Sequence, residues 1–216
     1  MKIMLPHIQP INPLRIPNPV DDEDFICEIK HDGFRAVAYI ERGGSKLLSR
    51  KQVVYRSRPF IRLCALLARL PVRDAILDGE LVCLDADGRS QFMDLMRRHK
   101  DVCYYAFDLV WLKGTDLRGL PLVARKARLR KLVRGRPGIL YADHERGRAV
   151  KIFRASCARD LEGIVIKAAQ GPYSATPCSW LKVINPNYTQ HRGRREMFER
   201  FRERRPAVQQ GSRPQE

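Results

Sequence analysis

Residues 25–30 (FICEIK) and 34–40 (FRAVAYI) are two β-rich runs with only His31-Asp32-Gly33 between them. Asp-Gly is a turn signal, so the stretch reads as strand, turn, strand. A parallel neighbour needs a crossover of about a dozen residues, and no such connection fits here. The same economy recurs downstream. KLLSR (46–50), AILDGELVCLD (75–85), CYYAFDLVWL (103–112), GILYAD (138–143), GIVIKA (163–168) and SWLKVI (179–184) read as further strands, with a turn at Asp87-Gly88. Four helices lie between them. Ser57 opens the first, with Phe60, Leu63, Cys64 and Leu67 at i, i+3, i+4 and i+7 and Pro59 tolerated in the first turn. A short one covers 91–97. The third, 122–134, puts Leu122, Leu129, Leu132 and Val133 on one side and ends at Gly135. The fourth, 145–159, turns Val150, Phe153 and Cys157 inward. Short strands, hairpin turns and single helices, without regular βαβ alternation, predict an antiparallel α+β domain.

The flanks differ from this core. Residues 1–24 are rich in proline and read as an extended arm across the domain, 25–188 as the folded unit, and 189–216 as a basic, partly disordered tail. No apolar run is long enough to span a bilayer, and the N-terminal segment has no uninterrupted apolar stretch of the kind a secretory signal needs. No membrane partner is expected. The six cysteines include no C-x-x-C pair, which argues against a structural zinc site and for reduced thiols in a cytoplasmic protein.

Charge narrows the function classes. Lys and Arg total 41 against 24 Asp and Glu, a formal net charge of +17. Such an excess points to a polyanionic partner, most often nucleic acid. Two clusters stand out: residues 118–136, with eight cations and no acid, and the arginine-rich segment from His191 onward. Neither G-x-G-x-x-G nor G-x-x-x-x-G-K-[ST] occurs, so a nucleotide here is held by something other than a glycine-rich phosphate loop.

The sharpest local pattern is EIKHDGFR, residues 28–35. Lys30 ends a strand at a turn, with Arg35 close behind. A lysine amine is a nucleophile only when neutral, a form that neighbouring cations or desolvation favour. Five further segments follow in order: SRK with Arg50, LDGELV with Glu80, YAFDLVWLKGTDLRGLPLVARK with Phe107, EGIVIK with Glu162 and Lys167, and SWLKVINP with Lys182. Together with EIKHDGFR they resemble the adenylation (nucleotidyltransferase) domain of ATP-dependent DNA ligases, most closely the bacterial end-joining type in its stand-alone form.

The resemblance runs from about Phe25 to Phe198 and implies the rest. The fold becomes two antiparallel β-sheets flanked by helices around a nucleotide cleft, in the ATP-grasp-like manner. Lys30 attacks the α-phosphate of ATP and carries AMP. Glu28 lies beside the adenine, and Phe107 stacks on it. Arg35 and Arg50 hold ribose and phosphate oxygens. Glu80 contacts ribose or metal, Glu162 holds Mg²⁺ with Mn²⁺ as the alternative ion, and Lys167 and Lys182 neutralise the α-phosphate. The implied partner is nicked or broken double-stranded DNA, met by a monomer in the bacterial cytoplasm, associated with the nucleoid, in DNA repair.

Two departures qualify that expectation. The family's last motif commonly reads W-x-K-x-K, whereas Ile184 replaces the second lysine here. Residues 187–216 are too few for the OB-fold that follows the adenylation domain in family ligases, so a separate protein supplying a DNA clamp is expected. An RNA ligase or capping-type nucleotidyltransferase shares the lysine motif. A degenerate core that binds DNA without chemistry is the remaining alternative.

Overall fold

The structure, a computed structural model of the chain, describes residues 5–97 and 101–191. The tail from residue 192 onward, with its expected disorder, lies outside the described residues. In chain order the elements are β1 (Leu14–Arg15), β2 (Phe25–Lys30), β3 (Phe34–Glu41), β4 (Gly44–Ser49), α1 (Arg58–Leu67), β5 (Asp74–Val82), α2 (Phe92–Arg97), β6 (Cys103–Leu112), β7 (Thr115–Asp116), α3 (Leu122–Val133), β8 (Ile139–Tyr141), β9 (His144–Arg146), α4 (Ala149–Ala158), β10 (Gly163–Ala168) and β11 (Trp180–Ile184). They build the mixed α+β architecture expected from the sequence. One sheet has the order β1-β11-β10-β2-β9; the other runs β4-β3-β5-β6-β7, with β8 also on β6.

The turn at Asp32-Gly33 does something other than close a hairpin. β2 pairs with β10 and β9, while β3 pairs with β4 and β5, so the chain crosses there from one sheet to the other. Gly33 is needed for space rather than for a left-handed backbone: a Cβ there would overlap the Leu81 carbonyl oxygen and crowd Glu80 and Val82. Asp32 is buried and accepts a hydrogen bond from Tyr188 Oη at 3.2 Å. The crossing is therefore locked, and Lys30 is delivered to the seam between the sheets.

Three expectations need smaller corrections. The sheets are mainly antiparallel, but each takes one parallel strand, β1 on β11 and β8 on β6. Residues 144–146 are an edge strand on β2 rather than helix. Gly147, at φ +65°, then ends that strand, and α4 begins at Ala149. On α4, Ala149 and Ser156 are buried, and Ile152 and Phe153, half-buried, pack with Cys27, Ile164, Ile166 and Val183; Val150 and Cys157, also half-buried, lie outside that cluster.

Period-two alternation decides what faces what. In the second sheet, Ala36, Ala38, Ile40, Leu77 and Leu81 form a core with Phe60, Leu63 and Leu67 of α1 and Leu129, Leu132 and Val133 of α3. Its other face presents Val37, Tyr39, Ile76 and Val110 toward Trp180 of the first sheet. Ile8 and Ile11, near the N-terminus, complete that cluster and are buried in it. This apolar plug joins the sheets at one end. The remaining gap between them is the cleft.

Candidate active site

The cleft has a volume of about 880 Å³, and all nine residues singled out above line it: Glu28, Lys30, Arg35, Arg50, Glu80, Phe107, Glu162, Lys167 and Lys182. Its floor is a lattice of cross-strand rows on β2, β10 and β11. Lys30, Gly163 and Ile184 form one row; Glu28, Val165 and Lys182 the next; Ile26, Lys167 and Trp180 the third. Alternation places all of them on one face, so the motif spacing E-x-K and W-x-K-x-I is a strand spacing. Gly163, at φ +143°, is constrained because a Cβ would overlap the Val183 carbonyl oxygen. It also leaves Lys30 without a side chain beside it in its row.

Lys30 Nζ donates to Glu162 Oε2 at 2.6 Å, with 24% and 10% of the two side chains exposed. Lys182 stands one row away. Burial, then the nearby charges of Lys30 and Arg50, holds its amine below the ordinary lysine range. Arg15 of β1, in register with Lys182, adds a further cation to this mouth. Glu80 faces the same space from β5, across from Arg35. Burial and the nearby Glu162 and Asp32 carboxylates push its carboxyl up to about 8, against the pull of Lys30 and Arg35.

The inner end is built from paired charges. Glu28 accepts from Lys126 Nζ on Oε1 and from Lys167 Nζ on Oε2, both at 2.5 Å. Burial raises its carboxyl pKa, but the two lysines outweigh burial and hold it below the usual carboxylate value. Each carboxylate oxygen keeps acceptor capacity for a further donor. Lys167 also lies 4.4 Å from the centre of the Phe107 ring and 4.0 Å from that of Trp180. Its ammonium is thus placed on Glu28 and the aromatic wall, away from the open mouth. Arg35 grips Asp78 with both ends of its fork (2.6 and 2.5 Å), and Tyr173 Oη donates to the same carboxylate at 2.5 Å. The Arg35 guanidinium sits 4.5 Å from the Phe107 ring centre.

Phe107 owes its direction to a β-bulge. Asp78 pairs with Asp108 and Gly79 with Ala106, which leaves Phe107 unpaired between them and turned into the cleft.

Sequence reasoning missed Lys126, Asp78 and Tyr173. The signal for Lys126 was available: Arg125 and Lys126 fall at i+3 and i+4 from Leu122, on the apolar side of the predicted helix, where a charge requires a buried partner. Arg125 finds Asp108, at 2.8 Å through both nitrogens. The 118–136 cluster accordingly loses two of its cations to the interior.

Mg²⁺ has no protein cage: the described residues contain no group of three or more His, Cys, Asp or Glu able to hold a metal. The donor set fits a different regime, in which Mg²⁺ takes one or two carboxylates and completes its shell with phosphate oxygens and water. Glu80 and Glu162 are the carboxylates available for that.

Residues 12–183 match the family described as ATP dependent DNA ligase domain. The DNA ligase-like protein LigB of the SPbeta prophage in Bacillus subtilis is 32% identical over 81% of this chain and 66% of its own length. The multifunctional non-homologous end joining protein LigD of Pseudomonas aeruginosa is 33% identical over 74% of this chain and 20% of its own length. A mycobacterial DNA ligase D, solved in complex with ATP and MES, superposes with a TM-score of 0.69 at 24% identity, covering 81% of this chain and 59% of that one. The chain thus spans less than two thirds of these relatives, while the family match covers well over half of the chain. On that match, the chain belongs to the ATP-dependent DNA ligase domain family.

Proposed function

We propose that this chain is the adenylate-transferring core of a DNA strand-sealing enzyme. The observation that carries the reading is the pairing of Lys30 Nζ with Glu162 at the mouth of a cleft whose inner end holds Glu28 and Phe107. Lys30 Nζ, as the free amine, attacks the α-phosphorus of ATP. A nitrogen–phosphorus bond forms, the α–β phosphoanhydride breaks and pyrophosphate leaves. Glu162 holds the ammonium in place before reaction. Phe107 stacks on the adenine, and Glu28, fixed by Lys126 and Lys167, accepts from the exocyclic amine. Arg35 keeps donors on the edge turned away from Asp78 for ribose oxygens. Arg50 and Lys182 offset charge on the phosphate. Mg²⁺, held by Glu162 and Glu80, supplies further charge neutralisation at the phosphates when bound.

A 5′-phosphate at a DNA break then attacks the same phosphorus and frees Lys30, and a 3′-hydroxyl displaces AMP. Descent from a family that includes end-joining LigD supports DNA repair as the setting.

The intact mass after incubation with ATP and Mg²⁺ tests the first step. One added AMP, absent in Lys30→Ala and in Lys30→Arg, is the expected result. An unchanged mass after pyrophosphate treatment to clear bound AMP, followed by fresh ATP, overturns the reading and leaves a binding module.

A further inference from the structure

One cation of the cleft belongs to none of the motifs. Arg15 lies on β1, which pairs in parallel with β11, and it lines the cleft together with Asn12 and Pro13. Its register partner is Lys182, so both side chains leave the sheet on the cleft side. The N-terminal segment that carries Arg15 is fastened to both sheets. The Ile8 amide donates to Tyr39 Oη at 2.9 Å, and Gln52 Nε2 donates to the Ile8 carbonyl at 3.2 Å. Cys178 Sγ donates to the Asn12 carbonyl at 3.4 Å, and the Ile16 amide donates to the Lys182 carbonyl at 3.0 Å. Arg15 therefore has a fixed backbone and an exposed side chain, and among the described residues no acid pairs with it.

Its row on the cleft floor has an order. From β2 to β1 it reads Glu28, Val165, Lys182, Arg15: an acceptor, an apolar residue and two cations. Three strand spacings are about 14 Å, the reach of an extended nucleoside triphosphate. With the base at Glu28, the phosphates run toward β11 and β1. The neighbouring row, Lys30, Gly163 and Ile184, has no cation on β11. Arg15 stands one strand across and two residues along from Ile184, roughly 8 Å between backbones. The charges felt by Lys182 are those of Lys30, Glu162, Arg50 and Arg15, three cations to one carboxylate. Like charges gathered in this way repel one another until a ligand with several negative charges joins them. Lys182 and Arg50 meet the α-phosphate, which leaves the two outer phosphates for Arg15.

We infer that Arg15 is a substrate-binding residue of the adenylation step, holding the β- and γ-phosphates of ATP, and the pyrophosphate as it leaves, in place of the cation that Ile184 does not supply. The inference rests on the adenylate-transfer reading and adds a residue to it. AMP has no β-phosphate, so Arg15 assists capture of ATP and return of pyrophosphate and has no part in retaining AMP.

Binding to the full chain separates the two nucleotides. α,β-Methylene-ATP carries the triphosphate but has a carbon bridge that Lys30 cannot displace. Arg15→Gln is expected to weaken its binding about 10-fold, the low end for a hydrogen bond to a charged group, and to weaken AMP binding less than about 2-fold. Unchanged AMP binding also shows that the variant is folded. In an Ile184→Lys background the same change is expected to cost about 3-fold or less, because the new lysine serves the same phosphates. On the AMP adduct, the pyrophosphate concentration needed for half-maximal reversal should rise about 10-fold in Arg15→Gln. Unchanged affinity for α,β-methylene-ATP, an equal loss for AMP, or an equal cost in both backgrounds overturns the inference. The binding assay needs no chemistry at Lys30. A parent that forms no AMP adduct while Arg15→Gln still loses triphosphate affinity removes the adenylate-transfer reading alone. A parent that forms the adduct while Arg15→Gln binds the triphosphate normally removes this inference alone.

Discussion

Behind the cleft, Arg125 and Asp108 face each other with no exposure of either side chain, and at its inner end Glu28 is clasped by Lys126 and Lys167 with at most 3% exposure. At the mouth, Lys30 and Glu162 meet at a similar distance but stay open to water at 24% and 10%. Taking a charge out of water is costly, so an inner pair has no alternative partner and holds one geometry. A pair at the mouth can be exchanged, because water can take the place of either partner and phosphate that of the carboxylate. The contrast suits a transfer site: groups that position the nucleotide are fixed, and groups that must change partners during the reaction are not.

The strongest test of that contrast removes half of an inner pair. Asp108→Ala leaves the Arg125 guanidinium buried with carbonyl oxygens alone, and about 3–5 kcal/mol of stability should be lost in denaturant unfolding. A loss below about 1 kcal/mol would show that water reaches the inner end and that the two regions do not differ in kind.

The next probe is Lys126→Met, read against pH. Glu28 titrates below its ordinary value of 4.5, because Lys126 and Lys167 overcome the opposing effect of burial. The stability this contributes is complete above pH 4.5 and disappears as pH falls through the lower folded value. Lys167 shifts from 10.5 to about 8, through burial and then the charge of Lys126, against the attraction of Glu28. Between those values the unfolded chain binds a proton that the folded chain has released, so stability contributed by Lys167 rises with pH across that window. Lys126→Met removes the competing cation. The melting temperature of the variant should fall at neutral pH, and its rise between pH 8 and 10.5 should shrink. An alkaline rise equal to that of the parent would exclude the three-charge cluster as its source.

Glu162→Gln is the matching change at the mouth. Stability should drop by about 1 kcal/mol or less, while formation of the AMP adduct should slow on the order of a hundredfold. If stability fell as far as in Asp108→Ala, the mouth would be as rigid as the inner end.

How much of this was visible in the sequence varies by region for a physical reason. The floor of the cleft was legible almost residue by residue. Strand alternation is a local rule, and Glu28, Lys30, Lys167 and Lys182 obey it wherever the strands end up in space. The direction of Phe107 was legible only by resemblance, because the bulge that aims it depends on pairing with β5. The sheet change at Gly33 was hidden altogether: the Asp-Gly signal reports a turn, and the partners the two strands take, β10 for β2 and β5 for β3, lie far along the chain. Lys126 is a different case. It was printed in the sequence as a charge on an apolar helix side, and finding it depends on asking what holds each cation.

The smallest expected change concerns Ile184, which lines the mouth two strands from Lys30 with Gly163 between them. Two strand spacings are about 10 Å. A unit charge at that distance contributes roughly 0.4 kcal/mol in water and about 1.7 kcal/mol at an effective dielectric of 20. Ile184→Lys adds such a charge, favouring the free amine of Lys30 and attracting the triphosphate. Adduct formation should therefore accelerate about 2- to 15-fold near neutral pH, with little change in stability because Ile184 is only half-buried. The gain should fade as added salt screens the mouth. No acceleration at low salt would mean that the cations already present saturate the site; an acceleration that survives about 1 M salt would mean that the new lysine touches the nucleotide directly.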